Sequence, residues 1–534
     1  MILAKLCVRM LPIVVLAAVL LAPVAGSAQD SNPIVAQSQV SITRDEFLQQ
    51  LRDYYGFEDP QQEGGTVTIA ETADIRTLNA LLAYDHPTRY VTNLIFEQLV
   101  SVSPIDGKPV PQLADFWEIS SDNLVYTFHL NQDARWHDGT DVTAEDVEFS
   151  FDAALSGKLD RAPYSGVTAV LDDYRVVDAD TFQMTASKPF VTFLYDAPGA
   201  VPIMPKHLWE GVPYENWGME RGSDGTDPSR VVGTGPFTFQ EREQNVSVTL
   251  ARNEAYYTSP PVIDGFVMKV MAATDRPDQL TSGDVDIVEG MNPENILEEI
   301  NAGSLVFETF LTARMQFYAY NLERPIFADQ RVRQALFIAL DRQSLIVDVF
   351  GPLGGQVAIG TQPPISPAYA PERIADPFAY DPDRARALLE EAGWADTNGD
   401  GTIDKDGDEF SFQILANVEA PQINELLAEM RRQWQEIGVD ASWQIISFED
   451  VLPRTRAGDF DVYIQFLRGG PSGSQGALFH GDPPGGLNFM RYQNDEYDRL
   501  DDLQTQEFDD ETRTKLLIEL SAIAWNDTPI GILR

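Results

Sequence analysis

Apolar and polar residues alternate in several short segments of the first half of the chain, and this period of two predicts β-strands. The clearest segments are residues 66–70, 124–130, 246–250 and 267–271. A helix is predicted at about 88–99, and another begins after Thr143, where a hydroxyl group and two carboxylates stand at the N-terminus. The first half is therefore predicted to consist of strands with interspersed helices.

The second half shows the spacing of amphipathic helices, each preceded by a residue suited to a helix N-terminus. Helices are predicted to begin at Asp329, Asp341, Asp381 and Pro421, and the last two end at Gly393 and Gly438. Strands are predicted at 443–446 and 460–467. Alternating helices and strands are typical of an α/β layer, and a chain of 534 residues is expected to fold as two or more lobes.

The N-terminus has the three parts of an export signal. Lys5 and Arg9 precede an apolar run at 11–24, and small residues at 26–28 provide a cleavage site. We therefore expect residues 1–28 to be removed on export to the periplasm. The alternative is a retained membrane anchor, which is disfavoured because the run is shorter than the roughly 20 residues that cross a bilayer.

Residues 29–64 are predicted to form a polar leader with one short helix and a linker. Its apolar residues have helical spacing, and they are Phe47, Leu48, Leu51, Tyr54 and Tyr55. The segment after Gly56 is rich in Pro and Gln, which is typical of a linker. The regular pattern of strands begins only after this segment.

The composition excludes several classes of protein. The hydrophobic fraction of 43% is sufficient for a packed interior, so global disorder is excluded. The 38 basic and 83 acidic side chains give a formal charge of −45, which argues against nucleic acid and anionic membrane surfaces as partners. The single cysteine, Cys7, lies in the expected signal, so the exported chain is expected to have no disulfide.

The sequence lacks the common catalytic motifs. It contains no Gly-x-Ser-x-Gly elbow, no His-Glu-x-x-His motif and no phosphate-binding loop. No pair of histidines has metal-ligand spacing, and the five are His86, His129, His137, His207 and His480. With 83 carboxylates, pairs of Asp and Glu occur by chance and do not identify a glycosidase. We therefore expect no enzymatic activity and no required cofactor.

One acidic loop is similar to a calcium-binding sequence. Its oxygen-bearing side chains alternate around Gly401, as in the D-x-[DN]-x-[DN]-G pattern, and they are Asp396, Asn398, Asp400, Thr402 and Asp404. Gly407 stands where a bidentate glutamate is expected. The loop is therefore predicted either to bind a structural calcium ion or to be an Asp- and Gly-rich turn, and the missing glutamate favours the turn.

Several short segments occur in the order found in one protein family. They are residues 112–118, 126–130, 136–139, 143–147, 233–237, 252–257, 282–287 and 331–336. Together they resemble the extracellular solute-binding proteins of the peptide/nickel group, family 5, which deliver ligands to ATP-binding-cassette importers. The resemblance extends from about Gly65 to the end of the chain, and the ordered set is more specific than any one of its segments.

The resemblance implies an α/β, bilobed periplasmic-binding-protein-like fold of type II, cluster C, with mixed sheets, a hinge and an extra inserted domain. The first lobe would consist of domain I, residues 65–104, 230–322 and 501–534, and of its insert, domain II, residues 105–229. The second lobe would be domain III, residues 323–500. The last part of domain I is expected to be shorter than in relatives.

The resemblance also implies a function without chemistry. The chain would capture a peptide-like solute in the cleft between the lobes and deliver it, as a monomer, to a permease in the inner membrane. The residues expected in the cleft are Tyr84, Arg89, Tyr320, Asn321, Phe466, Arg468, Gly469, Gly470, Leu487 and Asn488. Aromatic rings would supply contact area, glycine backbone would supply hydrogen bonds, and Arg468 would pair with a ligand carboxylate.

Two alternatives to a peptide-binding function stay open. The same scaffold would also suit another solute, such as a nickel chelate, an opine or an oligosaccharide. From a different class, a secreted calcium-dependent hydrolase that uses carboxylates is the second alternative.

Overall fold

The computed structural model describes residues 49–50, 53, 63–159, 164–291, 293–417, 422–470, 472–481 and 486–534. The expected signal, Cys7 and the apolar residues of the expected leader helix lie outside the described residues. The side chain of Arg468 also lies outside them. In the described part of the chain, no helix is both long and apolar enough to cross a membrane.

The strands of the described residues are short, and most belong to three sheets. In chain order they are β1 (Thr66–Glu71), β2 (Val100–Val102), β3 (Pro109–Pro111), β4 (Ala114–Ile119), β5 (Val125–Leu130), β6 (Leu171–Asp178), β7 (Thr181–Ala186), β8 (Phe237–Glu243), β9 (Ser247–Arg252), β10 (Gly265–Val270), β11 (Ile287–Val288), β12 (Arg314–Tyr320), β13 (Asp404–Lys405), β14 (Asp408–Glu409), β15 (Ser411–Asn417), β16 (Asp440–Ile446), β17 (Val462–Arg468) and β18 (Ile530–Ile532).

The helices lie between these strands. In chain order they are α1 (His86–Ile95), α2 (Ala144–Leu155), α3 (Ser165–Val170), α4 (Phe193–Asp196), α5 (Lys206–Trp209), α6 (Arg221–Asp224), α7 (Arg276–Ser282), α8 (Leu297–Ala302), α9 (Pro325–Ala328), α10 (Gln330–Ile338), α11 (Arg342–Phe350), α12 (Pro382–Glu391), α13 (Ile423–Gln435), α14 (Phe448–Ala457), α15 (Gly476–Phe479), α16 (Asp495–Thr505) and α17 (Asp510–Asp527).

The first sheet has the strand order β11-β1-β10-β9-β8. Strand β1 runs parallel to β10 and β11, whereas β10, β9 and β8 are antiparallel neighbours. The strands predicted at 66–70, 246–250 and 267–271 correspond to β1, β9 and β10, and their ends differ by at most two residues. Because β1 and β11 are parallel, their carboxyl ends lie at the same edge of the sheet.

Helix α1 is shorter than the predicted helix at 88–99. It begins where the carboxylate of Asp85 accepts a hydrogen bond of 3.1 Å from the Thr88 N–H, and it ends at Ile95, since Phe96 is extended. Gly233 packs against this end, because a Cβ atom at that position would lie 1.9 Å from the Ile95 carbonyl oxygen. The glycine-rich segment at 233–235 therefore serves close packing.

The second sheet is antiparallel and has the order β4-β5-β7-β6. The Asp146 carboxylate accepts a hydrogen bond of 2.9 Å from the Thr143 N–H, which forms the capping box predicted for α2. The first and second sheets share one hydrophobic core that extends along the chain from Ile69 to Met268. We call the described residues from 63 to 302 lobe 1.

The third sheet is mixed and has the order β16-β15-β17-β12-β18. Strand β15 is parallel to β16 and β17, and β12 is antiparallel to β17 and β18. A second hydrophobic core, from Met315 to Leu533, includes the buried faces of α10, α13 and α17. We call the described residues from 314 to 534 lobe 2, and residues 303–313 connect it to lobe 1.

Two parts of the chain lie in lobe 2, although the resemblance placed them in domain I. Strand β12 stands between β17 and β18, and the segment after residue 501 packs in the second core. Gly531 lets β18 approach β12, because a Cβ atom there would lie 2.1 Å from a ring carbon of Tyr318. The end of the chain therefore completes the third sheet rather than the first. The other domain boundaries stay a prediction.

The lobes also touch at a second place, away from residues 303–313. The Val191 N–H donates a hydrogen bond of 2.8 Å to the Thr505 carbonyl, and Lys108 Nζ lies 2.8 Å from an Asp510 carboxylate oxygen. In lobe 2, both partners flank the turn between α16 and α17. The two lobes are thus joined by the connection and also by polar contacts between other residues.

Candidate functional site

A cavity of about 540 Å³ lies in lobe 2, where the connection from lobe 1 enters β12. Its walls come from residues 309–316, from residues 352–358, from Pro363 and Pro364, and from the ends of β17 and β18. Its lining includes two guanidinium groups, an amide and an aromatic ring that contact one another, and they belong to Arg314, Arg534, Gln316 and Phe466. No Asp or Glu side chain is found among the described lining residues.

Antiparallel pairing of β12 with β17 places the first cation on an aromatic ring. Gln316 is the partner of Phe466 in the register, and Arg314 stands two residues before Gln316, on the same face of β12. The Arg314 guanidinium carbon lies 3.9 Å from the centre of the Phe466 ring. This distance is within the range of a cation–π interaction, so the ring fixes the position of the charge.

Strand β18 brings a second guanidinium to the same cavity. The main chain of Arg534 accepts a hydrogen bond of 2.8 Å from the Gln316 N–H. Its side-chain Nε donates a hydrogen bond of 2.8 Å to Gln316 Oε1, and its Nη1 donates to the Gly354 carbonyl. Its guanidinium carbon lies 3.5 Å from the centre of the Phe350 ring and 5.8 Å from that of Phe466.

The two cations are held close together in a partly buried place. Burial, which is the larger cause, and the positive charge of Arg314 together lower the pKa of Arg534 to about 10. Gln316 Nε2 is buried and has no hydrogen-bond partner among the described residues. Because a buried donor without a partner is unfavourable, the cavity is suited to a ligand that brings acceptor oxygens and negative charge.

A second polar cluster lies at the edge of the first sheet, in lobe 1. Glu71 ends β1, and Glu289 follows the parallel neighbour β11. His86 Nε2 lies 3.6 Å from Glu71 Oε1 and 3.7 Å from Glu289 Oε2. Burial is the largest cause that raises the pKa of Glu71, while His86 lowers it and Glu289 raises it. Arg276 also lowers this pKa, and its Nη1 donates a hydrogen bond of 3.0 Å to the Glu289 carbonyl. Two carboxylates here stand beside one guanidinium, so this edge of lobe 1 is acidic on balance.

The sequence motifs did not reveal either cluster, apart from Phe466. The members of each cluster stand far apart along the chain, and only strand pairing brings them together. The parallel pairing of β1 with β11 brings Glu71 close to Glu289. To find this cluster from the sequence, one would have had to predict that pairing. The pairing of β12 with β18, which places Arg534 beside Gln316, leaves no local signal in the sequence.

The other residues expected at the end of β17 do not all face the cavity. The Gly469 N–H is used in a hydrogen bond of 2.8 Å to the Ala313 carbonyl, so it ties β17 to the connection. Gly470 is exposed. Phe466 is thus the one expected residue that lines this cavity among those whose side chains are described.

The two residues expected in lobe 1 lie elsewhere. Tyr84 is exposed, and the Arg76 guanidinium carbon lies 5.1 Å from the centre of its ring. Arg89 lines a separate cavity of about 260 Å³ near Tyr164, and its Nε donates a hydrogen bond to the Ala83 carbonyl. The structure does not bring either residue to the cavity of lobe 2.

The remaining expected residues of lobe 2 have structural contacts. Tyr320 is fully buried, and its hydroxyl donates to the Arg333 carbonyl. The buried Asn321 amide donates to the Gly458 and Phe460 carbonyls, which fixes a turn. The buried Asn488 amide donates to the carbonyls of His480 and Tyr492, and Leu487 is partly exposed next to it. These side chains hold loops in place.

In the acidic loop, the carboxylates accept hydrogen bonds from the loop itself. Asp396 accepts from the N–H groups of Gly399 and Gly401 at 2.7 and 3.0 Å. Asp404 accepts from the N–H and the hydroxyl of Thr397. No group of three His, Cys, Asp or Glu side chains in the described residues is arranged to hold a metal ion. These contacts favour the turn, and calcium binding stays a prediction.

A larger cavity, of about 690 Å³, lies at the polar contact between the lobes. Its charged lining side chains have both signs, and they are Asp106, Lys108, Asp509, Asp510 and Arg513. Lys108 pairs with Asp510, and Arg513 donates a hydrogen bond of 2.7 Å to the Ser472 carbonyl. Because these charges already bind one another or the main chain, we assign this cavity to the lobe contact.

Comparison with known proteins gives the family. The model of the bacterial extracellular solute-binding proteins, family 5 Middle, matches residues 108–481. The oligopeptide-binding protein AppA of Bacillus subtilis is 27% identical over 449 residues, which cover 82% of this chain and 80% of that protein. Heme-binding protein A of Haemophilus influenzae is 27% identical over 458 residues, which cover 82% and 80%.

Solved structures share the fold. The structure of AppA from Bacillus subtilis in complex with a nonapeptide has a TM-score of 0.73 at 25% identity, over 88% of this chain and 93% of that chain. NikZ from Campylobacter jejuni, in complex with Ni(L-His), has a TM-score of 0.71 at 24% identity, over 88% and 92%. These matches confirm the predicted α/β, bilobed fold of cluster C.

The family match covers more than half of the chain, and it agrees with the resemblance of the short motifs. Members of this family are transport components without enzymatic activity, which removes the hydrolase alternative. The chain therefore belongs to the bacterial extracellular solute-binding proteins of family 5, the solute-binding components of ATP-binding-cassette importers.

Proposed function

We propose that this protein captures a peptide-like solute between its lobes, in the periplasm, and delivers it to a permease in the inner membrane. The observation that carries the proposal is the cavity of lobe 2, in which the Phe466 ring and two guanidinium groups line one space. An aromatic ring offers contact area to a side chain, and the cations offer charged hydrogen bonds to a carboxylate. A peptide carries both kinds of group.

The position of the cavity supports capture that is coupled to movement of the lobes. Residues 309–312 belong to the connection between the lobes, and they also line the cavity. A rotation of one lobe against the other would therefore change a wall of the binding site. Closure around a ligand is a common movement of two-lobed binding proteins, and it gives the permease a loaded form to recognise.

The charges of the two lobes support a zwitterionic solute. Lobe 2 presents Arg314 and Arg534, whereas lobe 1 presents Glu71 and Glu289 at the edge of its sheet. A peptide has a carboxylate at one end and an ammonium group at the other. In the proposed closed form, the carboxylate end would lie in the cavity of lobe 2 and the ammonium end would face lobe 1.

The volume of the cavity supports a small solute. At about 540 Å³ it falls within the range of about 300 to 1,000 Å³ in which small-molecule sites occur. Related structures have been solved with a nonapeptide in AppA and with the peptide STSA in DppA from Helicobacter pylori. We therefore propose a short peptide, or the end of a longer one, as the occupant.

A metal chelate with carboxylate groups is the second candidate. NikZ from Campylobacter jejuni is described with Ni(L-His), and NikA from Brucella suis with Fe(III)-EDTA. The two guanidiniums and the absence of Asp and Glu among the described lining residues suit the carboxylates of a chelate as well as those of a peptide.

Thermal unfolding of the full chain in the presence of single ligands tests the proposal. We expect di- to pentapeptides to raise the melting temperature, because binding to the folded state alone stabilises it. Ni(L-His) and Fe(III)-EDTA serve as the competing ligands in the same assay. Stabilisation by a chelate and by no peptide would replace the peptide with the second candidate, and stabilisation by none of them would refute both.

A further inference from the structure

One glutamine in the wall of the 540 Å³ cavity has a hydrogen-bond donor that the described protein does not use. Gln316 is 1% exposed, and its Nε2 has no hydrogen-bond partner among the described residues. In the four other buried glutamines of the described chain, the side-chain nitrogen donates to a protein oxygen at 2.6 to 2.9 Å. These four are Gln362, Gln433, Gln475 and Gln504. Because an unpaired buried donor is costly, we expect the partner of Gln316 Nε2 to come from a ligand.

Arg534 determines which end of this amide is left without a partner. The N–H groups of an arginine can only donate, so the amide oxygen has to face Arg534, whose Nε donates to Gln316 Oε1 at 2.8 Å. The main chain of Gln316 is held as well, since its N–H donates to the Arg534 carbonyl and its carbonyl accepts from the Leu533 N–H, each at 2.8 Å. A reversed amide would place two donors against each other. The unused group is therefore fixed as a donor.

This donor and a guanidinium stand side by side. Oε1 and Nε2 are bonded to the same carbon, so Nε2 lies beside the Arg534 guanidinium that Oε1 binds. A guanidinium has five N–H donors, and Arg534 uses its Nε for Gln316 and its Nη1 for the Gly354 carbonyl. A carboxylate offers two acceptor oxygens to such a pair. A carboxamide offers one acceptor and one donor, so one of its ends would meet a donor.

We propose that Gln316 is a specificity-determining residue, which selects a solute with a free carboxylate end over one with a carboxamide end. Its Nε2 donates to one carboxylate oxygen, and the Arg534 guanidinium binds the other. This inference rests on the proposed function and deepens it, because it names the group of the peptide that the cavity recognises and the side chain that distinguishes this group from its neutral analogue.

Two tripeptides test the inference on the full chain. Ala-Ala-Ala and its C-terminal carboxamide have the same backbone and nearly the same size, so calorimetric titration isolates the effect of the end group. We expect the free acid to bind about tenfold or more tightly than the carboxamide, which is the effect of one charged hydrogen-bonded pair.

Two substitutions separate the hydrogen bond from the effect of charge alone. Gln316→Met removes the donor without adding a charge, and we expect it to weaken binding of the acid about tenfold and that of the carboxamide by less than about twofold. Gln316→Glu keeps an acceptor for Arg534 but replaces the donor with a second acceptor. We expect this variant to bind the carboxamide more tightly than the acid, which reverses the order.

Gln183 provides the matched control. Its Oε1 also accepts a hydrogen bond from an arginine, Arg175, at 2.7 Å, but its Nε2 donates to the Thr127 hydroxyl at 3.0 Å. It lies on β7, in lobe 1. We expect Gln183→Met and Gln183→Glu to leave both affinities unchanged. Circular dichroism of each variant checks that it is folded.

The outcomes separate this inference from the proposed function. Equal binding of the acid and the carboxamide to the unmodified chain would overturn the inference and leave the peptide function in place. A ratio of affinities that changes in Gln316→Glu but not in Gln316→Met would show an effect of charge and overturn the hydrogen bond. A ratio unchanged in both variants would overturn the assignment to Gln316. Failure of both tripeptides and of the wider peptide series to bind would overturn the proposed function, and the inference with it.

Discussion

The two lobes place opposite charges at their polar clusters, and they do so by different strand pairings. In lobe 1, Glu71 and Glu289 meet because β1 and β11 run parallel and end at one edge. In lobe 2, Arg314 and Arg534 meet because β12 is antiparallel to β17 and β18. The comparison shows that strand pairing brings the charged residues of each cluster together, and that no local charged segment does so.

The clusters also differ in how their charges are compensated. In lobe 1, the imidazole of His86 lies within 4 Å of both carboxylates. In the cavity of lobe 2, no carboxylate side chain is found among the described lining residues, and aromatic rings contact the cations instead. Aromatic rings attract a cation but do not neutralise it. The two clusters therefore differ in the groups that contact their charged side chains, which are an imidazole in lobe 1 and aromatic rings in lobe 2.

Reversal of the lobe 2 charges should have the largest effect on binding. The double variant Arg314→Glu/Arg534→Glu would make both clusters acidic, and we expect the affinity for the acidic tripeptide Ala-Ala-Glu to fall by about 100-fold or more, because two cations in the cavity are replaced by anions. The same variant should bind Ala-Ala-Lys more tightly than the unmodified chain does. Calorimetric titration of both peptides measures this. If the variant still binds Ala-Ala-Glu more tightly than Ala-Ala-Lys, the assignment of this cavity as the binding site is contradicted.

Displacement of β18 should reduce both stability and binding. Gly531→Ala places a methyl group against the Tyr318 ring, and we expect it to lower the free energy of unfolding by about 1–3 kcal/mol, as overpacking does. It should also weaken peptide binding, because β18 positions Arg534. Gly211→Ala is the control, since a Cβ atom there has no neighbour within 4 Å. If denaturant unfolding gives the same free energy of unfolding for both variants, β18 tolerates the added methyl group.

Removal of the Phe466 ring should weaken peptide binding by about tenfold, since an aromatic contact and two cation–π contacts are lost. The variant Phe466→Ala leaves both arginines in place but no longer fixes Arg314. Phe116→Ala is a matched control, because the Phe116 ring is also partly exposed and lies 4.3 Å from the ring of His129. If both variants bind Ala-Ala-Glu like the unmodified chain, the ring has no part in the site.

Neutralisation of lobe 1 should have the smallest effect, and it should depend on pH. Burial raises the folded-state pKa of Glu71, so the folded state holds this proton more tightly than the unfolded chain does. The free energy of unfolding therefore falls as pH rises through that folded-state pKa. In Glu71→Gln this loss disappears, and we expect the melting temperature at pH 7 to rise by less than about 2 °C.

A matched glutamate provides the control for that measurement. Glu118 also lies 3.5 Å from a histidine nitrogen, that of His129, but its side chain is 47% exposed, whereas that of Glu71 is 13% exposed. We expect Glu118→Gln to change the free energy of unfolding at pH 7 by no more than about 0.5 kcal/mol, as is usual for an exposed substitution. If the difference in melting temperature between Glu71→Gln and the unmodified chain stays constant from pH 4 to pH 7, the role of burial at Glu71 is contradicted.

The sequence predicted the elements of the fold better than the site. Alternation identified β5 most clearly, because one face of this strand is buried and the other is less so. The resemblance placed Tyr320 in the cleft, whereas its side chain is buried in the core and its hydroxyl donates to the Arg333 carbonyl. Side-chain direction at a strand end depends on the register with its neighbours, which the sequence of one strand does not contain.

The arginines of the site show the same limit. Arg468 was expected to bind a carboxylate, and Arg314 is its register partner on β12. Nothing in the sequence around Arg314 or Arg534 distinguishes them from other arginines. Their role follows from pairings between segments more than a hundred residues apart, and such pairings are not visible in local periodicity.

The contrast between the acidic protein and its cationic cavity has a consequence for the speed of capture. At long range, an approaching anionic peptide meets the repulsion of a protein with a formal charge of −45. Dissolved ions screen forces beyond about 8 Å at physiological ionic strength, but they screen contacts inside a cavity much less. Added salt should therefore accelerate association of an acidic peptide, whereas most charged partners associate more slowly in salt.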